Sequence, residues 1–192
     1  MSSVLAGKTT LLNILQNRPQ TNGTVNKSNR VLSKTIPTIG VNHYDIVLNK
    51  VKGNKAELSL KEYGGQLAPL WTTYLKQQQP PFSLIYLVDA ADISKVSETS
   101  VHLIETLEQL TVTKNQIKLL IVYSKTDLLS PDGSDFLGDR PPFDNRRISE
   151  YRQLLRVHHL KTFCPNIQVC EVLFSAINCL GLPFILHWLN GL

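Results

Sequence analysis

The distribution of apolar positions along the chain alternates between helix-like and strand-like spacing. Residues 9–16 carry Leu11, Leu12, Ile14 and Leu15 on one face, which predicts a helix opening at Gly7-Lys8. A polar stretch with Pro19, Asn22, Gly23 and Asn26 follows and predicts a loop. Two strands are expected over 41–48 and 56–60, joined across 50–54; in the second, Ala56, Leu58 and Leu60 alternate with polar residues. The runs 83–89 and 117–123 are continuously apolar, as in parallel strands covered on both faces. Between them, Val101, Ile104, Leu107 and Leu110 place a helix over 96–110. The segment 130–147, rich in Pro, Gly and Asp, predicts an exposed insertion with no core of its own. A helix over 149–163, a strand over 167–174 and a closing helix over 183–189 complete the pattern, with Pro183 acceptable in a first turn. Strands alternating with helices predict one doubly wound α/β domain spanning 1–192, its sheet mostly parallel and its helices on both faces.

Composition narrows the class. With 192 residues, 42% hydrophobic and 18% charged, the chain has the material for one packed core. No apolar run approaches the roughly 20 residues of a membrane span. Residues 1–6 lack the blocks of a secretory signal, and Ser2 excludes N-myristoylation, which needs glycine there. A cytoplasmic protein without a direct membrane anchor is expected, and a monomer. Cys164, Cys170 and Cys179 are odd in number and show no CxxC pairing, which favours thiols over a disulfide framework or metal site. His158-His159 points to two different faces of a helix and makes no ligand pair. The net charge of +5 is concentrated in residues 1–61, where nine Lys/Arg face only Asp45 and Glu57. That balance suits a polyphosphate or acidic partner; no aromatic-basic motif supports nucleic acid.

Five short segments carry candidate chemistry. Residues 2–9 match the phosphate-loop pattern G-x-x-x-x-G-K-[ST] except that Ser2 stands at the first glycine. Such a loop aims backbone N–H groups and a helix N-terminus at phosphate oxygens. Lys8 would act there as a point charge on phosphate and the Thr9 hydroxyl as a Mg²⁺ ligand. Pro37-Thr38-Ile39-Gly40 precedes a strand; Glu62-Tyr63-Gly64-Gly65-Gln66 closes one; Ser124-Lys125-Thr126-Asp127 and Phe174-Ser175-Ala176 each follow an apolar strand. Singly, each is compatible with an ordinary turn or strand end. Together they fall at the element ends that line the crevice of an open α/β sheet.

In this order the five segments resemble the ADP-ribosylation factor-like small GTPases, over essentially the whole chain. The doubled glycine of Gly64-Gly65-Gln66 and the Pro69-Leu70-Trp71 that follows separate that family from Ras, Rab and Rho. The resemblance implies a Ras-like P-loop fold and a switch that cycles between GTP and GDP, with Mg²⁺, to control protein effectors and regulators in intracellular or ciliary trafficking. It also implies residue roles. Gly7, Lys8, Thr9 and Thr10 would hold phosphate, and Thr9 and Thr38 would ligate Mg²⁺. The Gly65 amide would sense the γ-phosphate, and Gln66 would orient the attacking water for slow hydrolysis. Lys125 would pack over the base, Asp127 would accept two hydrogen bonds from guanine, and Ser124, Ser175 and the Ala176 N–H would complete the base site.

Four departures accompany the resemblance. The first central strand, expected ahead of the phosphate loop, is missing, so a shortened chain is expected, its flanking strands facing each other across a gap. Ser2 adds a Cβ where the loop approaches phosphate. Glu62 is longer than the aspartate expected there, and Mg²⁺ tolerates little geometric error. Ser124 replaces an asparagine that ties the base loop to the phosphate loop; a hydroxyl contact is expected to survive, but not the reach. The alternative function is a degenerate module that keeps the fold and binds nucleotide weakly or not at all.

Overall fold

A computed structural model of the chain describes residues 6–17, 36–49, 55–79, 81–110, 116–129 and 146–192. The expected loop at 18–35 and nearly all of the insertion lie outside these residues. The first helix, α1 (Lys8–Gln16), starts at Gly7, whose φ of 84° is left-handed and favours a residue without Cβ. Strands β1 (Val41–Asn49) and β2 (Lys55–Tyr63) pair antiparallel, from Val41 opposite Tyr63 to Asn49 opposite Lys55. A 3-10 turn over Gly65–Leu70 leads into α2 (Trp71–Lys76). Next come β3 (Ser83–Asp89), α3 (Val96–Leu110), β4 (Ile117–Ser124), α4 (Arg146–Leu154), α5 (Leu160–Phe163), β5 (Ile167–Leu173) and α6 (Leu182–Asn190).

Among the described residues the strands form two sheets: the β1–β2 hairpin, and a parallel sheet in the order β3-β4-β5. Alternation along the parallel strands sends side chains to two cores. Leu84, Tyr86 and Val88 of β3 and Leu119, Ile121 and Tyr123 of β4 pack with Trp71, Leu103, Leu107 and Tyr151 on the face covered by α2, α3 and α4. Leu87, Leu120, Val122 and Val172 point to the opposite face, where Leu11 and Leu15 of α1 and Ile185 and Leu189 of α6 cover them. Helices on both faces of a parallel sheet are what the continuous apolar strands predicted. The β2 and β3 strands do not pair with each other. Between them lies a groove of about 400 Å³ lined by Leu58 and Leu60 on one side, Leu84 and Leu87 on the other, with Leu11, Leu12 and Leu15 also contributing. Among the described residues the two flanking strands thus face each other across a groove; residues 1–5, where the missing strand and Ser2 were expected to matter, lie outside the described residues.

One predicted element is corrected. The helix expected over 149–163 is broken: α4 ends at Leu154, Arg156 takes a left-handed φ of 53°, and α5 restarts at Leu160. The break lets Leu155, Val157 and Leu160 all enter the core together, a placement that continuous 3.6-residue periodicity would not give to positions 155 and 157 at once. Cys164 is buried, and Cys170 and Cys179 are half-buried.

Candidate functional site

The C-terminal ends of β2 and β4 and the N-terminus of α1 converge on a cleft of about 160 Å³. Its walls include Gly7, Lys8, Thr9 and Thr10 from the loop and first turn of α1, and Pro37 and Thr38 from the segment before β1. Glu62, Gly65 and Lys125 close the other sides. An open α/β sheet presents backbone N–H groups and loop side chains at such strand ends, and so favours ligands there.

Lys8 is the first residue of α1 and only 8% exposed. Burial pushes its ammonium pKa down to about 8, while the nearby Glu62 charge pulls it the other way. An anionic group in the cleft would restore the usual preference for the charged form.

Glu62 is 3% exposed and gathers three hydroxyls. Its Oε1 accepts from Thr9 Oγ1 at 2.6 Å and from Thr38 Oγ1 at 3.1 Å, and its Oε2 accepts from Tyr44 OH at 3.1 Å. The two threonine oxygens stand 3.3 Å apart. Burial, then Glu62 itself, raises the Tyr44 pKa, so that phenol remains a donor. This is a set of hard oxygen donors around one carboxylate, the chemistry that Mg²⁺ prefers.

The segment bearing Thr38 is fastened to the one bearing Gly65 through Gly64. Gly64 N–H donates to Gly40 O at 3.0 Å. A Cβ on Gly64 would stand 2.1 Å from Thr38 O, so only glycine permits this approach. Behind it, the buried Trp71 donates its Nε1–H to Gly64 O at 3.1 Å and meets the Tyr86 ring edge-on at 6.2 Å. Trp71 therefore anchors the turn from inside the core.

On the opposite side, Lys125 has a left-handed φ of 59° and pairs with Asp89 Oδ2 at 2.6 Å. Asp89 also accepts from Ala91 N–H at 3.0 Å. Thr126 bonds Phe174 O through both its N–H, at 3.3 Å, and its hydroxyl, at 3.1 Å, which brings the Lys125–Asp127 turn beside Ser175-Ala176. Buried Ser175 Oγ accepts from Ile177 and Asn178 N–H and shapes that second turn.

Of the sequence-predicted residues, Gly7, Lys8, Thr9, Thr10, Thr38, Gly65 and Lys125 share the cleft. Asp127, Ser175 and Ala176 stand on the adjoining pair of turns, outside the cleft lining. Gln66 is exposed and does not line the cleft, because the 3-10 turn that starts at Gly65 carries it outward. The expected shortfall in Ser124's reach is corrected: its Oγ lies 2.8 Å from Ala6 O and 3.0 Å from Val88 O, joining the phosphate loop to β3. The shorter side chain suffices because Ala6 is fully buried against the sheet. Sequence reasoning passed over Asp89, whose signal was a carboxylate closing a continuous apolar run, and Tyr44, which had none beyond facing the same end of the hairpin.

The sequence model of the ADP-ribosylation factor family matches residues 4–135. The chain belongs to the ADP-ribosylation factor family. It is 27% identical over 159 residues to human ADP-ribosylation factor-like protein 16, covering 82% of this chain and 66% of that protein. To ADP-ribosylation factor-like protein 3 of Chlamydomonas reinhardtii it is 30% identical over 132 residues, covering 68% and 62%. The matches thus span somewhat under two thirds of the length of either relative. In fold it is similar to the Arl6 BBS3 small GTPase of Trypanosoma brucei, solved with the nucleotide analogue GppNp (TM-score 0.65, 16% identity, covering 98% of this chain and 91% of the other). It is also similar to a chain of the mammalian SRP receptor structure (TM-score 0.61, 18% identity, 98% and 95%). No helix among the described residues is long and apolar enough to cross a membrane.

Proposed function

We propose that this chain is a guanine-nucleotide-binding switch of the ADP-ribosylation factor-like type, acting in the cytoplasm on protein partners in intracellular or ciliary trafficking. The observation that carries the reading is the shared cleft, in which Lys8, Thr9, Thr38 and Gly65 surround a space at a helix N-terminus. Phosphates placed there would meet the Lys8 ammonium and the amides that open α1. Thr9, Thr38 and Glu62 offer the oxygens for Mg²⁺, which when bound would neutralise phosphate charge. The switch is the junction between Thr38 and Gly65: the hydrogen bond from Gly64 to Gly40 couples the two segments, so a terminal phosphate that holds one orders the other. Effectors would read residues 38–42 and 64–74. Within these, Ile39 is 77% exposed and Leu70 47%, so apolar surface is available to a partner. Hydrolysis is slow in this reading, since Gln66 would have to turn inward to orient a water.

Base choice rests on Asp127, held by Thr126 next to Ser175-Ala176. Substituting Asp127→Asn is expected to weaken GDP binding and admit xanthosine diphosphate, whose base offers a carbonyl in place of the amino group. Competition against fluorescent GDP measures this; an unchanged preference would refute the base assignment. The groove between β2 and β3 favours a second reading, an interaction module that keeps the fold and binds nucleotide weakly, because Leu58 and Leu60 face Leu84 and Leu87 across it without strand pairing. Absence of any guanine-nucleotide binding in the same titration selects it.

A further inference from the structure

We propose that Glu62 is itself a direct ligand of the divalent cation, forming with Thr9 and Thr38 one three-oxygen face of its coordination shell; the proposal rests on the nucleotide-switch reading of the cleft. Neighbouring ligand oxygens on an octahedral Mg²⁺, each at 2.0–2.1 Å from the metal, stand about 2.9 Å apart. The three oxygens here form a triangle with edges of 2.6, 3.1 and 3.3 Å, values that bracket that spacing. Three separate elements supply them: the first turn of α1, the segment before β1, and the end of β2.

The orientation of the carboxylate supports the assignment. Tyr44 takes Oε2 and leaves Oε1 alone facing both threonines. Each threonine hydroxyl donates its hydrogen to Oε1 and keeps lone pairs for a metal. An aspartate at this position would fall short by one carbon–carbon bond, about 1.5 Å, and could serve a metal in the cleft only through a water. The extra methylene of Glu62 therefore exchanges a bridging water for a protein ligand. Two of the three oxygens, those of Thr9 and Glu62, lie outside the segment before β1, so the metal keeps protein ligands even when that segment lets go.

The test uses the full chain with Mn²⁺ as the spectroscopic stand-in for Mg²⁺, in the presence of GDP. Electron paramagnetic resonance in ¹⁷O-enriched water counts the waters on the metal, and titration gives the Mn²⁺ concentration at half-saturation. Glu62→Asp is expected to show one more coordinated water than the parent, and Glu62→Gln at least a tenfold higher half-saturation. Glu62→Gln retains the size and acceptor oxygen needed by Thr9 and Thr38, and circular dichroism checks that both variants fold. An unchanged water count, or a half-saturation within twofold, overturns direct ligation even where GDP binds normally. If the parent binds no GDP, the switch reading fails separately. The metal site then stands only if Mn²⁺ alone still binds the parent and loses at least tenfold in Glu62→Gln, and falls otherwise.

Discussion

Replacing Gly64 by alanine isolates the coupling between the two segments on which a switch depends. At φ −57° and ψ 143° the backbone of Gly64 suits any residue, so the perturbation is purely steric. The new Cβ would lie 2.1 Å from Thr38 O, 3.0 Å from Thr38 C and 3.2 Å from Gly40 O. All three are backbone atoms, so no side-chain rotation relieves the clash, and the strands must part by more than 1 Å. Parting them breaks the bond from Gly64 N–H to Gly40 O, worth about 0.5–1.5 kcal/mol, on top of about 1–3 kcal/mol of overpacking. The exposed segment 36–40 is the side that can yield, whereas Gly64 is held by Trp71. The cost is therefore expected to appear locally. Hydrogen exchange in residues 38–42 should accelerate about tenfold, and global stability in urea should fall by the matching amount of about 1.4 kcal/mol, well short of the largest summed cost of clash and lost bond. Gly40→Ala is the control, since a Cβ there meets nothing within 4 Å, and it should leave both quantities near their starting values. Unchanged exchange in Gly64→Ala, or equal effects from the two alanines, would refute the coupling.

Two further outcomes follow from the same geometry. Trp71→Phe keeps most of the buried ring and loses the bond to Gly64 O, so it should cost about 1–3 kcal/mol in urea unfolding; a cost below about 0.5 kcal/mol would show that the indole N–H anchors nothing. Lys8, with a folded pKa lowered to about 8 from 10.5, binds fewer protons folded than unfolded between those values. Stability of the nucleotide-free chain should thus rise by about 1–2 kcal/mol from pH 7.5 to 9.5, and Lys8→Met should abolish the rise; a slope common to both proteins would assign it elsewhere.

Much of the fold was legible because its parallel strands are buried on both faces. The apolar runs at 83–89 and 117–123 admit few other readings, and both strands appear where expected. The helix break at Arg156 was hidden because a left-handed arginine carries no signature, and the burial of Leu155 and Val157 is decided by the shared core they enter rather than by local spacing. The site was legible wherever backbone geometry restricts the residue type. Gly64 is fixed by its approach to Thr38, and Gly7 by a left-handed turn. It was not legible where side chains from distant elements meet. Asp89 and Lys125 are 36 positions apart and become partners only because β3 and β4 pair Asp89 with Ser124. Ser124 looked too short until the depth of Ala6 set the distance it had to span.

These contacts divide the site into two halves with different mechanical support. The half proposed for the base, with Lys125, Asp127 and Ser175-Ala176, stands at the ends of paired parallel strands and is fastened internally by Thr126, Phe174 and Asp89. The half proposed for the metal hangs on the β1–β2 hairpin, which shares no strand pairing with the parallel sheet among the described residues. The two halves join through side chains and single hydrogen bonds: Thr9 and Thr38 on Glu62, Trp71 on Gly64 O, Ser124 on Ala6 O, Tyr63 in the core with Trp71 and Tyr86, and α1, whose Leu11 and Leu15 share a core with Ile46 and Leu48 of β1 and with Leu87, Leu120 and Val122 of the parallel sheet. A seam made of such scattered contacts yields before a ladder of backbone hydrogen bonds does. In the proposed switch, motion between the halves would open the cleft on the side of Thr9 and Thr38 before the side of Lys125, so a cation that binds Thr9, Thr38 and Glu62 together would close the seam at the point where the sheet does not.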